Sequence, residues 1–87
     1  MNLEILTPEH KVFSGKVYGI QLPGTNGSFE ILEKHAPMIA SLRKGKMKVI
    51  KDKSQLGQTE TYEITGGFVE VLGNNVSVLI EDATAVD

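Results

Sequence analysis

Eighty-seven residues, 40% hydrophobic and 23% charged, make one small domain with a thin core and exclude a disordered chain. A net charge of −2 gives no electrostatic reason to expect nucleic acid or an anionic membrane surface as partner. The absence of cysteine excludes disulfide staples and thiolate metal sites and fits a reducing compartment.

In chain order, the first run, NLEIL (residues 2–6), alternates with Leu3 and Ile5 on one face. It has no basic start and no continuous apolar stretch, so it is not a signal peptide, and no later run reaches the ~20 residues a membrane helix needs. KVFSGKVYGIQL (11–22) carries Val12, Val17 and Ile20, with Gly15 and Gly19 predicting bulges or bends. Pro23 to Gly27 is dense in turn residues, and Asn26-Gly27 favours positive φ in a tight hairpin leading into SFEIL (28–32). The polar hinge Glu33-Lys34-His35-Ala36-Pro37 then separates that strand from MIASL (38–42). After the RKGK turn, KMKVIK sets Met47 and Val49 opposite Lys46, Lys48 and Ile50. KDKSQLGQ (51–58) reads as a polar loop and TYEIT as the next strand. Gly66-Gly67 breaks the chain, FVEVL alternates Phe68 and Glu70 with Val69 and Val71, and VSVLIED closes.

Short alternating runs separated by turn residues every 8–12 positions or so predict an all-β fold. Each strand buries one face, so two sheets must close on each other: a flattened sandwich of short, mostly antiparallel strands filling residues 1–87. No window carries a 3.6-residue stripe with caps, and Pro37 interrupts the nearest candidate.

The chemical candidates fail one by one. His10 and His35 are the only histidines, and neither spacing nor cysteine supports a metal site. Arg43-Lys44-Gly45-Lys46-Met47 is not a phosphate loop, because Met47 stands where Ser or Thr must coordinate magnesium and Ala40 where the first glycine belongs. His35 beside Glu33 or Glu30 has no nucleophile motif near it and reads as a turn residue. The basic stretch Arg43–Lys53 lacks interleaved aromatics and reads as the solvent face of a strand plus a charged loop, which argues against an OB-like nucleic-acid binder. Phe13, Tyr18 and Phe29 read as core or half-core. What remains is a binding module without chemistry. A stand-alone sandwich that takes a carbohydrate or small ligand is the alternative, disfavoured by the lack of tryptophan.

The order VFSG (12–15), LPG…G (22–27), ILEKHAP (31–37), GKMKV (45–49), ITGGFVEVL (64–72) and NVSVLIEDA (75–83) closely resembles the N-terminal β-sandwich domain of the epsilon subunit of F-type ATP synthase, over essentially the whole chain. The resemblance implies a central-stalk rotor part with no active site or cofactor. It would couple ion flow to ATP synthesis by joining the gamma subunit to the polar loops of the c-ring, peripherally at the cytoplasmic face of the bacterial inner membrane. By matched position, Gly27, Ser28, Phe29, Glu30 and Ile31 would face the c-ring, while Thr7, His35, Ala36, Pro37 and Met38 would lie near gamma. Pro37 fixes its own φ and biases Ala36 towards extended geometry, so the turn docks at low entropic cost. Two departures stand out. Many members place an acidic residue directly after the glycine, where this chain has Ser28, with Glu30 next on the same strand face. Glu33-Lys34 replaces the usual Pro-Gly-type pair before His35. Most members also add a C-terminal helical hairpin that can inhibit ATP hydrolysis and in some binds ATP; a chain naturally ending at Asp87 is expected not to impose that inhibition. An exposed apolar sheet face is expected, with Met38, Ile39 and Leu42 as candidates, each of which also suits the core.

Overall fold

A computed structural model describes residues 1–53 and 59–86. The described residues form ten strands: β1 Asn2–Leu6, β2 Lys11–Lys16, β3 Gly19–Gly24, β4 Gly27–Leu32, β5 Met38–Leu42, β6 Gly45–Ile50, β7 Thr59–Ile64, β8 Gly67–Leu72, β9 Asn75–Ile80 and β10 Ala83–Val86. Hydrogen bonding runs β10-β7-β6-β3-β5-β8-β9-β1-β2, with β4 on the other edge of β3. All pairs are antiparallel except β1 with β9.

The corner of the sandwich is β3. Gly19 to Gln21 pair with β6, whereas Gly24 pairs with Leu42 of β5. One edge is therefore handed from one layer to the other, giving β4-β3-β6-β7-β10 and β5-β8-β9-β1-β2. Hairpins stay within a layer, and every other connection crosses between layers. The interior is the period-2 set expected: Leu3, Ile5, Val69, Val71, Val76 and Val78 from one layer meet Ile20, Leu22, Ile31, Met47, Val49 and Ile64 from the other. Among the described residues no polar or charged residue is buried, and no buried side-chain nitrogen or oxygen lacks a partner. None of them forms a helix long and apolar enough to cross a membrane.

Several local expectations are revised. Gly15 and Gly19 do not mark bulges: the run bends between them at Val17-Tyr18, and the register shift opposite Ile5 and Leu6 leaves Val12 of β2 as the extra residue. Gly19 instead permits close approach, since a Cβ there would meet Leu32 Cδ2 at 2.6 Å and Ile31 O at 3.2 Å. Leu32 and Ile50 both reach towards the space over this glycine, and Ile50, the register partner of Gly19, is only 5% exposed although alternation points it outward. In the β3–β4 hairpin the two central residues are Thr25 and Asn26, and positive φ falls on Gly27 (φ 126). A tenth strand follows VSVLIED and pairs with β7. Part of the KDKSQLGQ loop, residues 54–58, lies outside the described residues.

Candidate functional site

The Glu33–Pro37 segment is one of the crossings between layers. Lys34 has φ 63, the one non-glycine with positive φ among the described residues. A left-handed lysine costs roughly 1–2 kcal/mol relative to an unstrained backbone, which is the physical reason a glycine suits that place. Glu33 Oε1 lies 3.1 Å from the Met1 ammonium, which also donates to Val17 O at 3.2 Å. His35 Nδ1 sits 2.7 Å from Ala36 O, half-buried, while Ala36 and Pro37 are exposed.

Gly27, Ser28 and Glu30 are exposed on the β3–β4 hairpin. Glu30 Oε2 accepts a hydrogen bond from Gln21 Nε2 at 2.8 Å, which fixes its carboxylate on the outer face. Ile31, at 0% exposure, belongs to the core and cannot itself touch a partner; Phe29 is half-buried, opposite Leu22. Of the five residues matched by resemblance to the ring contact, Gly27, Ser28 and Glu30 are exposed, Phe29 is partly so and Ile31 is buried.

Thr7 lies at the opposite end of the β5-β8-β9-β1-β2 layer from His35. Its hydroxyl donates to His10 O at 3.1 Å and accepts from His10 N–H at 3.2 Å, closing a tight turn after β1. The fold therefore does not gather Thr7 and His35–Met38 into one point. It places them at the two ends of one outer sheet face.

That face carries the exposed apolar surface expected from the sequence, but built mostly from residues the sequence did not single out. In cross-strand register, Ser41, Phe68, Leu79 and Leu6 form one row, and Ile39, Glu70, Ser77 and Glu4 the next. Leu72 lies a further step along β8. Ile39 is 72% exposed, Leu72 63%, Phe68 55% and Leu79 49%. A mostly apolar groove of about 420 Å³ runs past Leu6, Thr7, Pro8, Phe68 and Leu79, and another, of about 370 Å³, past Pro37, Met38, Ile39 and Leu72. Of the candidates named from sequence, Ile39 is exposed, Met38 is half-buried and Leu42 is core. The signal was present in β8 and β9: with Val69 and Val71 inside, Phe68 and Leu72 must point out, and Leu79 sits between inward Val78 and Ile80.

Ionic chemistry is sparse. Lys51 Nζ contacts Glu60 Oε1 at 2.8 Å and lies 5.8 Å from the Phe13 ring centroid, while Tyr62 OH donates to Glu60 Oε2 at 3.1 Å. The Lys51 hydrogen bond, reinforced by Tyr62, lowers the Glu60 pKa against a smaller opposing effect of burial. Burial, with Glu60 alongside, raises that of Tyr62. No cluster of three or more potential metal ligands occurs among the described residues.

The family model for the beta-sandwich domain of the ATP synthase delta/epsilon chain matches residues 1–86. The ATP synthase epsilon chain of Chlorobaculum tepidum is 40% identical over 83 residues, covering 94% of this chain and 90% of that one. The epsilon chain of Pelotomaculum thermopropionicum is 46% identical over 81 residues, covering 93% and 58% respectively. Among solved structures, a chain of the Euglena gracilis mitochondrial ATP synthase (OSCP/F1/c-ring) superposes with TM-score 0.85 at 21% identity, covering 98% of this chain and 54% of its own. A chain of the Tetrahymena thermophila mitochondrial ATP synthase central stalk and c-ring gives 0.78 at 21% identity, covering 95% and 64%. At that identity the two structures establish shared fold. The sequence relatives and the family match establish more: this chain belongs to the ATP synthase delta/epsilon family, represented by its β-sandwich domain.

Proposed function

We propose that the chain is a non-catalytic central-stalk subunit of an F-type ATP synthase that binds the gamma subunit and the c-ring and couples ion flow to ATP synthesis. The observation that carries this reading is the exposed apolar face of the β5-β8-β9-β1-β2 layer, bracketed by Thr7 and His35–Met38. Exposed apolar area of this kind marks a protein interface, and a contact that survives rotation should bury well over ~1,000 Å². Hydrogen-bonded strands resist shear better than a mobile loop, which suits a part that transmits torque. Gly27, Ser28 and Glu30 form the ring-facing tip, with the Glu30 carboxylate meeting basic ring loops. The working place is peripheral, at the cytoplasmic face of the bacterial inner membrane.

Mixing this chain with a gamma subunit and separating by size tests the reading. Co-elution at one-to-one stoichiometry is expected, and two separate monomer peaks at micromolar concentrations contradict it. For the ring contact, Glu30→Gln should flatten the salt dependence of ring association. An unchanged dependence rules Glu30 out.

A further inference from the structure

The opposite layer offers a different surface. Gln21, Ser28, Arg43, Lys44, Lys46 and Lys48 surround an open groove of about 310 Å³ between β3 and β6. Four of the nine lysines and arginines of a net-acidic chain thus line one depression. Two lysines outside the groove have carboxylate partners, Lys11 with Glu4 at 3.1 Å and Lys51 with Glu60 at 2.8 Å. Among the described residues, none of these four has a carboxylate within ion-pairing distance. Glu63 faces Lys46 in register without reaching it, and Glu30 is held by Gln21. Four unneutralised cations in a concavity raise the local positive potential and concentrate anions there.

The frame around them is fixed. Arg43 N–H donates to Pro23 O at 2.8 Å, tying the β5–β6 crossing to the hairpin. Pro23 packs on Gly45, where a Cβ would stand 2.9 Å from Pro23 Cβ, so no side chain at 45 intrudes on the groove. Arg43 offers a planar fork that matches phosphate oxygens, the lysines act as point charges, and Gln21 and Ser28 add neutral polar groups. No aromatic residue lines the groove to stack a base, so what it can recognise is charge and phosphate shape.

We propose that this groove is a binding site for a small oligophosphate-bearing anion. The groove shares Ser28 with the ring-facing hairpin, but its four cations belong to neither that hairpin nor the apolar face, so failure of the proposal leaves the rotor reading intact. Amide and side-chain chemical shifts followed by NMR while sodium tripolyphosphate is added to the whole chain test it. The expected result is saturable perturbation centred on residues 43–48 and Gln21, weakened by added salt. Lys46→Gln/Lys48→Gln should weaken binding about tenfold, whereas Lys16→Gln/Lys34→Gln, which removes the same net charge elsewhere, should leave it nearly unchanged. Shifts spread evenly over all lysines, an equal loss in both double variants, or binding to phosphatidylglycerol vesicles but not to tripolyphosphate each overturn the proposal.

Discussion

The two outer faces of this sandwich are built from the same pleated geometry, yet they present opposite chemistry. On the β5-β8-β9-β1-β2 layer, Ile39, Phe68, Leu72 and Leu79 stand in solvent. On the β4-β3-β6-β7-β10 layer, the corresponding outward positions hold Glu30, Gln21, Lys48 and Lys46. A strand with apolar residues on both parities has a second face to bury. Strands that alternate strictly, as β6 does over Lys46 to Val49, have one. The difference teaches that one pleated framework can leave large apolar side chains on one outward face and charged ones on the other.

The comparison can be broken hardest at Gly67, where the chain enters β8. Its φ is +149, and a Cβ would collide with Leu79 O and lie 2.9 Å from Ile80 Cα, both backbone atoms. Gly67→Ala should cost about 3 kcal/mol or more, because β8 and β9 must separate at the apolar face. Chemical denaturation measures it, and a loss below about 1 kcal/mol would show that the approach is not tight. Next in size is Phe68→Thr/Leu79→Thr. It should weaken gamma binding about a hundredfold while moving stability by less than ~1 kcal/mol, since these residues stand mostly in solvent in the free chain. A titration with gamma against a thermal melt separates the two effects; an equal fall in both would make the pair structural.

These sites show what the sequence made legible. The interior came through almost completely, because Leu3, Ile5, Val69, Val71, Met47 and Val49 obey period two without interference. Ile50 escaped because it stands in register with the bare backbone of Gly19, near Leu32, a cross-strand setting that alternation within β6 does not report. β10 escaped because Ala83–Val86 is short and borrows its order from β7. Alternation sets Phe68 with Glu70 and opposite Val69 and Val71, but not beside Leu79 and Leu6, because alternation within one strand does not report register between strands. The resemblance located Thr7 and the His35 turn; only the fold showed that they are opposite ends of one face.

Smaller effects sharpen the account of the turn and the seam. Lys34→Gly should raise stability by about 0.5–1 kcal/mol, since glycine takes φ 63 without strain and gives back part of that gain in unfolded-chain entropy. A lowered melting temperature would mean that the lysine side chain makes an uncounted contribution. Smallest is the Glu60 pair with Lys51. Because the folded pKa of Glu60 is lowered, its stabilising contribution is present above the ordinary glutamate value and is lost as pH falls through the lowered one. Glu60→Gln should therefore make the acid side of the stability profile slightly shallower, with no change in slope near neutrality. An identical acid profile would place the pair among surface contacts that contribute nothing measurable.

The absence of native cysteine makes the central claim directly measurable. Single variants Leu72→Cys on the apolar face and Lys48→Cys on the cationic face can be labelled with a maleimide, free and in complex with gamma. The account predicts that gamma slows labelling at position 72 more than tenfold and leaves position 48 at its free rate. Protection of position 48 with position 72 still open would contradict it.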